Sequence, residues 1–253
     1  MTITAVIITH NEERNIGRCL QSLEGVADEI VVVDSGSTDA TESICRQAGA
    51  RFEHHDWENF SRQKNYANSL ASCDWILSID ADESLSDALR EQLSSLKANP
   101  PEDNTVFSFN RLTNYCGHWI RHCGWYPDWC CRMWRNRIAR WEGIIHEELH
   151  FEKDVCVRRL EGDMLHYSYN TVGDHVARLS KYAPLSAEKD FERGKRCGVA
   201  AIALRPVWTF VRNYFFRGGM LDGWAGFTVC RLSATYTLVK YAELYRRCHE
   251  TTH

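Results

Sequence analysis

Nothing in the 253-residue chain approaches the ~20 consecutive uncharged apolar residues of a membrane-spanning helix. The opening stretch MTITAVIITHNEE has no basic start and turns charged early, so it reads as a strand and not as an export signal. The closing residues CHETTH are not a prenylation box. Without an export signal, the eleven cysteines are expected as reduced thiols in the cytoplasm. Cys116, Cys123, Cys130 and Cys131, even with His118 and His122 among them, lack the paired short spacing of a structural zinc site. They are expected as small buried apolar residues. No repeat and no low-complexity segment is visible.

What is present suits a folded chain: 44% hydrophobic and 25% charged residues. The charge is uneven. Residues 1–170 carry 17 Lys/Arg against 27 Asp/Glu, and residues 171–253 carry 13 against 7. An acidic front is thus followed by a basic, aromatic tail, which points to an anionic surface. The acidic front argues against nucleic acid as that partner.

The runs ITAVIIT (3–9), EIVVVD (29–34), ARFEHH (50–55) and DWILSID (74–80) read as strands. Helical patterns over 12–23, 36–49, 61–72 and 86–98 follow them in turn. Strands alternating with helices imply parallel βαβ units and an open α/β sheet. Residues 114–151, crowded with Trp, His, Cys and Arg, read as a short strand pair and long loops over the sheet edge. From about residue 172 the pattern is helical. The expected division is 1–168 and 169–253.

Open α/β sheets bind ligands beyond the carboxyl ends of their strands. Asn11, Glu12, Asp34, Asp80 and Asp82 all stand there. Asp80 and Asp82, two apart, share a face and offer oxygen donors to Mg2+ or Mn2+ beside a phosphate. The structural alternative is a capped helix start. Asp34 is a candidate for a base or ribose, or again for a cap. Arg62 and Lys64 in RQKNYA suit a diphosphate, or else a solvated helix face.

The blocks VIITHNEERNIGRCLQSL, EIVVVDSGSTDAT, RQKNYA and WILSIDADE, in this order, resemble glycosyltransferase family 2 with its GT-A fold. GHWIRHCGWYPDWCCRMWRN and RWEGIIHEEL resemble its lipopolysaccharide inner-core β-1,4-glucosyltransferase branch. The resemblance implies a GT-A (Rossmann-like) open mixed sheet flanked by helices, with a C-terminal helical extension. It implies inverting transfer of a sugar, glucose first, from a UDP-sugar to a lipopolysaccharide-core or other glycolipid acceptor. Thr9, Asn11, Glu12 and Asp34 would then lie in the nucleotide pocket. Arg62, Lys64 and Asp80 would lie near the diphosphate, and Asp80 and Asp82 would hold the metal. Two departures stand out: ENFS replaces the usual glycine before the Arg-Gln segment, and the acidic pair before the base reads PD.

Inverting transfer needs a base for the acceptor hydroxyl. Asp128 in GWYPDWCCRMW is the candidate, with Arg132 a helical turn on and Trp125, Tyr126 and Trp129 as desolvating neighbours. The alternative is a Pro-Asp turn. His146 is a further metal or diphosphate candidate, and Glu147 a second candidate base. In the tail, Arg205, Arg212 and Arg217 alternate with Trp208, Phe210, Tyr214, Phe215 and Phe216. Residues 205–247 thus suit either peripheral contact with the inner face of the cytoplasmic membrane or packing on protein. The rival readings are a metal-dependent sugar nucleotidyltransferase and a non-enzymatic Cys/His metal-binding module. The first is disfavoured because THNEERN is not a Gly-rich phosphate loop.

Overall fold

Strand β1 (Ile3–Thr9) is buried on both faces and sends alternate side chains into two cores. Ile3, Ala5 and Ile7 enter one; Val6 enters the other. The computed structural model describes residues 1–102, 104–143 and 147–250. Strands β2 (Glu29–Asp34), β3 (Arg51–His54) and β4 (Trp75–Asp80) join β1 in a parallel array, ordered β3-β2-β1-β4. Helices α1 (Ile16–Ser22), α2 (Thr41–Gln47) and α3 (Phe60–Ser69) provide the crossovers. A short strand β5 (Glu83–Leu85) leads into α4 (Asp87–Ala98), whose Ser86 cap accepts from the Leu89 amide. Leu20 and Leu23 beside α1 and Leu89 and Leu93 of α4 pack on one sheet face; Ala67 of α3 packs on the other. Each such large side chain, fully buried, contributes roughly 1.5–3 kcal/mol.

The helices expected over 12–23 and 36–49 begin four and five residues late. Residues 10–15 and 35–40 are loops bonded to each other. Asn11 N–H donates to Ser37 Oγ (2.8 Å), Thr38 N–H to Asn11 Oδ1 (2.8 Å), and Glu12 N–H to Thr41 Oγ1 (2.9 Å). Glu13 N–H donates to Asp39 Oδ2 and Ala40 N–H to Glu13 Oε2, both at 3.1 Å. Asn11 adopts a left-handed backbone (φ 55°), which asparagine tolerates better than most residues.

The crowded middle of the chain is sheet, not loops over an edge. Strands β6 (Thr105–Tyr115), β8 (Trp129–Arg135) and β11 (Cys156–Tyr169) extend the sheet antiparallel beyond β4, in the order β4-β8-β6-β11-β5. The short strand β7 (His118–Ile120) pairs with the end of β6. Strands β9 (Ala139–Glu142) and β10 (Glu148–Phe151) form a separate hairpin. The sequence TVFSFNRLT (105–113) reads as a candidate strand, and β6 bears this out; the hairpin β9–β10 is the short strand pair expected within 114–151, whereas β8 and β11 are not foreseen.

The chain divides into two compact units: residues 1–111 with 128–167, and 112–127 with 168–253. The segment 112–127, assigned by sequence to the first part, groups with the C-terminal helices. Its Tyr115, Ile120 and Cys123 share a core with Ala225, Val229 and Cys230. In this second unit α5 (Val172–Glu192) and α7 (Gly223–Glu250) are tied by Lys240–Asp190 (2.8 Å) and Arg247–Glu188 (3.3 Å), and α6 (Val199–Val211) bonds α7 through Arg205 Nη1 to the Tyr241 hydroxyl (2.7 Å). A π-helical turn, Arg212–Phe216, extends α6. Gly226 has no room for a side chain, because a Cβ there would lie 2.0 Å from the Gly219 carbonyl oxygen. Among the described residues no helix is long and apolar enough to cross a membrane.

Candidate active site

Three carboxylates follow one another closely where β4 ends, and the first unit supplies the cations that make this possible. The turn after Asp80 returns Glu83 so that its Oε2 accepts the Asp80 N–H at 2.9 Å. Strand β8 lies beside β4, and its buried Arg132 places Nη2 2.7 Å from Glu83 Oε1 and 3.1 Å from Asp80 Oδ2. Lys64 of α3 takes the other Asp80 oxygen, Nζ to Oδ1 at 3.1 Å, and lies 4.7 Å from the centre of the Trp141 ring. Arg111 of β6 continues the alternation. Its Nη1 is 3.8 Å from Glu83 Oε1, while Nε and Nη2 both donate to Asp128 Oδ2, at 2.9 and 2.7 Å. Lys64, Asp80, Arg132, Glu83, Arg111 and Asp128 thus form one line of alternating charge.

Burial opposes the charge on Asp80, but Lys64 and then Arg132 outweigh it and hold the carboxyl well below the usual carboxylate range. Burial pushes Glu83 up, with Arg132 acting against it. Arg132 is firmly protonated: burial disfavours its charge, and Glu83 and Asp80 more than compensate.

Asp82 stands apart from this line. The register of β11 against β5 sets His166 opposite Glu83, and Tyr167 N–H donates to Asp82 O at 2.8 Å. His166 Nε2 therefore lies 3.2 Å from Asp82 Oδ2. Among the described residues no group of three or more His, Cys, Asp or Glu is arranged to hold a metal. A carboxylate and an imidazole with no Lys or Arg ion-paired to them among the described residues are nevertheless a fitting pair of donors. A divalent cation there would complete its shell with phosphate oxygens and water. Asp80, expected as a second ligand, has a cation on each oxygen instead.

Asp128 lies just before β8. Its N–H donates to Asn110 Oδ1 and its carbonyl accepts from Arg111 N–H, both at 2.8 Å. Its partner is Arg111, not the aromatic residues beside it in sequence. Trp125 stacks on Tyr169 within the second unit, and the Trp129 ring carries the Arg159 guanidinium at 4.7 Å. Because 129–135 is a strand, Arg132 comes to the same face as Asp128 by period-two alternation, not by a helical turn.

At the ends of β1 and β2, Asp34 is buried and committed to its own turn. One oxygen accepts from Gly36 N–H and Ser37 N–H at 2.8 Å, and the other accepts from the Ser37 hydroxyl. Asn11 and the Glu12 backbone belong to the loop clamp described above, and Glu12 Oε2 accepts from Asn15 Nδ2 at 2.9 Å. Thr9 Oγ1 is buried and has no hydrogen-bond partner among the described residues. Gln63, unremarked in the sequence, joins this region through Nε2 to Ser35 Oγ (3.1 Å) and Oε1 to His55 Nδ1 (2.8 Å).

Arg62 is not with Lys64. Its side chain is 71% exposed, 3.9 Å from Glu58, and it lines a cleft of about 930 Å³ with Asn65, Asn68, Arg137 and Trp141. Two residues along a helix are a turn of about 200°, so Arg62 and Lys64 face opposite sides of α3. His146 lies outside the described residues, and Glu147 immediately precedes β10. Sequence reasoning passed over Arg111 and His166. Each is a single residue on a distant strand, and only the register brings it to the carboxylates.

The family model "Glycosyl transferase family 2" matches residues 4–140. An uncharacterised glycosyltransferase of Rickettsia bellii is 30% identical over 99% of this chain and 89% of its own length. The lipopolysaccharide core biosynthesis glycosyltransferase LpsC of Rhizobium meliloti is 33% identical over 98% and 93% respectively. Glucosyl-3-phosphoglycerate synthase of Mycobacterium tuberculosis, solved with Mn2+, uridine diphosphate and glucosyl-3-phosphoglycerate, is 25% identical. The match covers 46% of this chain and 44% of that one, with a TM-score of 0.36. The sheet, parallel at one side and antiparallel at the other with a helical extension, is of the GT-A type. The chain is a glycosyltransferase and belongs to glycosyl transferase family 2.

Proposed function

We propose that this glycosyltransferase moves a sugar, glucose as first candidate, from a uridine diphosphate donor to a lipopolysaccharide-core or related glycolipid, with inversion. The printed function of the Rhizobium relative supports the acceptor class. The observation that carries the mechanism is Asp128. Arg111 holds one of its oxygens twice, and the other is met only by the Cys130 thiol at 3.9 Å among the described residues. A carboxylate held on one side and open on the other is fitted to accept the proton of an acceptor hydroxyl. Arg111 keeps the open oxygen oriented.

Thr9, with its unpartnered hydroxyl, and the clamped loops carrying Asn11, Glu12 and Asp34 form the floor we assign to the nucleoside. Lys64 and Asp80 lie toward the diphosphate. Asp82 and His166 would hold Mg2+ or Mn2+, which supplies charge stabilisation for the departing nucleoside diphosphate when bound. Neither Arg62 nor a second metal contact by Asp80 is needed for this reading.

The second unit supports peripheral membrane contact. Leu204, Val207, Trp208, Phe215 and Phe216 are 55–73% exposed, beside Arg205 and Arg217. Phe210 and Tyr214 of the same run stack on each other and pack inward.

The test is thermal unfolding of the purified protein with UDP, GDP, ADP and CMP, each with and without Mn2+. A ligand bound only by the folded state raises the midpoint. UDP raising it in a metal-dependent way, and not in Asp82→Ala, is the expected result. No shift with any nucleotide and metal would remove the donor-site assignment.

A further inference from the structure

The helical unit contains a cavity of about 420 Å³ between α5, α6 and α7. None of its eleven lining residues is acidic, and two are arginines, Arg178 and Arg212. Neither guanidinium has a carboxylate within ion-pair distance among the described residues. Arg178 Nη1 donates to Ser168 Oγ at 2.6 Å, and its guanidinium lies 4.9 Å from the centre of the Tyr169 ring. Arg212 Nε donates to Asn213 Oδ1 at 3.3 Å. Asp174, one turn before Arg178, is committed to capping α5: its Oδ2 accepts from Thr171 N–H at 2.8 Å and Asn170 N–H at 3.1 Å. Arg178 is exposed at the cavity mouth, and its charge acts on both Asp174 and His175. Burial, and then Arg178, push the His175 imidazole down to about 4.

Six of the other nine lining residues carry hydroxyls: Tyr169, Tyr182, Thr209, Ser233, Tyr236 and Thr237. Thr209 and Thr237 bond each other at 3.3 Å, and Tyr236 bonds Ser186. Arg212 is also the first residue of the π turn, an irregularity that frequently marks a functional position. Cations without counter-ions, ringed by hydroxyl donors, are the recognition chemistry of a phosphate.

The same stretch of chain faces outward with the opposite character. Thr209 and Arg212 line the cavity, whereas Val207, Trp208, Phe215 and Phe216 around them are exposed. We infer that this cavity binds the phosphate monoester of an acidic lipid headgroup while the exposed apolar residues lie at the acyl boundary. This rests on the membrane contact proposed above and adds to it a specific headgroup site. The phosphate cavity is located in the helical unit, and none of its residues belongs to the proposed donor site.

The experiment compares binding of the full chain to phosphatidylcholine vesicles containing either phosphatidic acid or phosphatidylserine, matched for surface charge. A parallel arm titrates soluble glycerol phosphate and follows the thermal midpoint. The proteins are wild type and Arg178→Gln/Arg212→Gln, the latter checked for an unchanged unliganded midpoint and an unchanged response to UDP and Mn2+. Wild type should prefer phosphatidic acid by at least about tenfold, and the double variant should bind both vesicles alike. Equal binding of the two vesicle types by wild type, with no glycerol phosphate effect, would overturn the inference. So would a preference that survives in the double variant. A glycerol phosphate shift that the double variant loses, without preference for phosphatidic acid, would overturn the lipid assignment and place a soluble phosphate ester there. If no vesicle binds at all, the membrane reading fails, and the glycerol phosphate arm alone decides the cavity.

Discussion

Arg132 Nη2 sits 2.7 Å from Glu83 Oε1 and 3.1 Å from Asp80 Oδ2, so one buried guanidinium holds two acidic residues at the end of β4. Breaking a buried pair from one side costs about 3–5 kcal/mol, because it strands the charges that remain. Arg132→Met is therefore expected to lower the unfolding free energy by that order in urea titrations. Adding Glu83→Gln to Arg132→Met should recover part of the loss. If the double variant is as unstable as the sum of the singles, the two residues are not coupled.

Asp128→Asn keeps the shape and removes the proton acceptor. Turnover is expected to fall about 10²–10⁴-fold, while the thermal shift produced by UDP and Mn2+ stays intact. Arg111→Met should also lower kcat, leaving the KM for the sugar nucleotide little changed, because Arg111 orients Asp128 and does not hold the donor. A large rise in donor KM in either variant would place these residues in the donor pocket instead.

The metal prediction concerns Asp82 and His166. With every acid ionised, Lys64, Arg132 and Arg111 face Asp80, Glu83 and Asp128, three against three, and Asp82 is left over. An incoming diphosphate adds further negative charge, so a cation is required for tight binding. Asp82→Ala and His166→Ala should each weaken Mn2+-dependent UDP binding by at least about tenfold in calorimetric titration. His166→Ala binding UDP and Mn2+ as tightly as wild type would remove His166 from the site.

His175 gives a pH signature. Its folded pKa of about 4 lies below the ordinary value of 6.5, so the folded state disfavours the proton. Between those two values the unfolded chain binds a proton that the folded chain does not. Stability should therefore fall as pH drops from 6.5 toward 4, by about 3 kcal/mol in all, and this term levels off below that. The Asp80 contribution has the opposite placement: it is complete above the ordinary carboxylate pKa and is lost only in stronger acid. Denaturant titrations of wild type and His175→Gln at intervals across pH 4–7 should show a steeper slope in wild type, with the difference between the two lying between pH 6.5 and 4.

The parallel half of the sheet was legible because Ile/Val runs ending in Asp mark buried strands and their ligand edge. That Asp80 and Asp82 stand at the end of a strand, and Lys64 in the helix before it, was legible for the same reason. In the antiparallel half only β6 was legible, over 105–113; β8 and β11 were not read as strands, and the grouping of residues 112–127 with the last helices depends on long-range packing. His166 and Arg111 carry no local signal at all, since their meaning comes from the neighbour across the ladder. Arg62 illustrates the converse error, in which adjacency to Lys64 in sequence was read as adjacency in space.

The bonds between residues 10–15 and 35–41 run from protein to protein. Their amides should therefore exchange slowly with solvent deuterium in the free protein, and a nucleotide should slow them little further. Discrimination at this end of the sheet would then be settled when the chain folds, with the ordering entropy spent before a donor arrives.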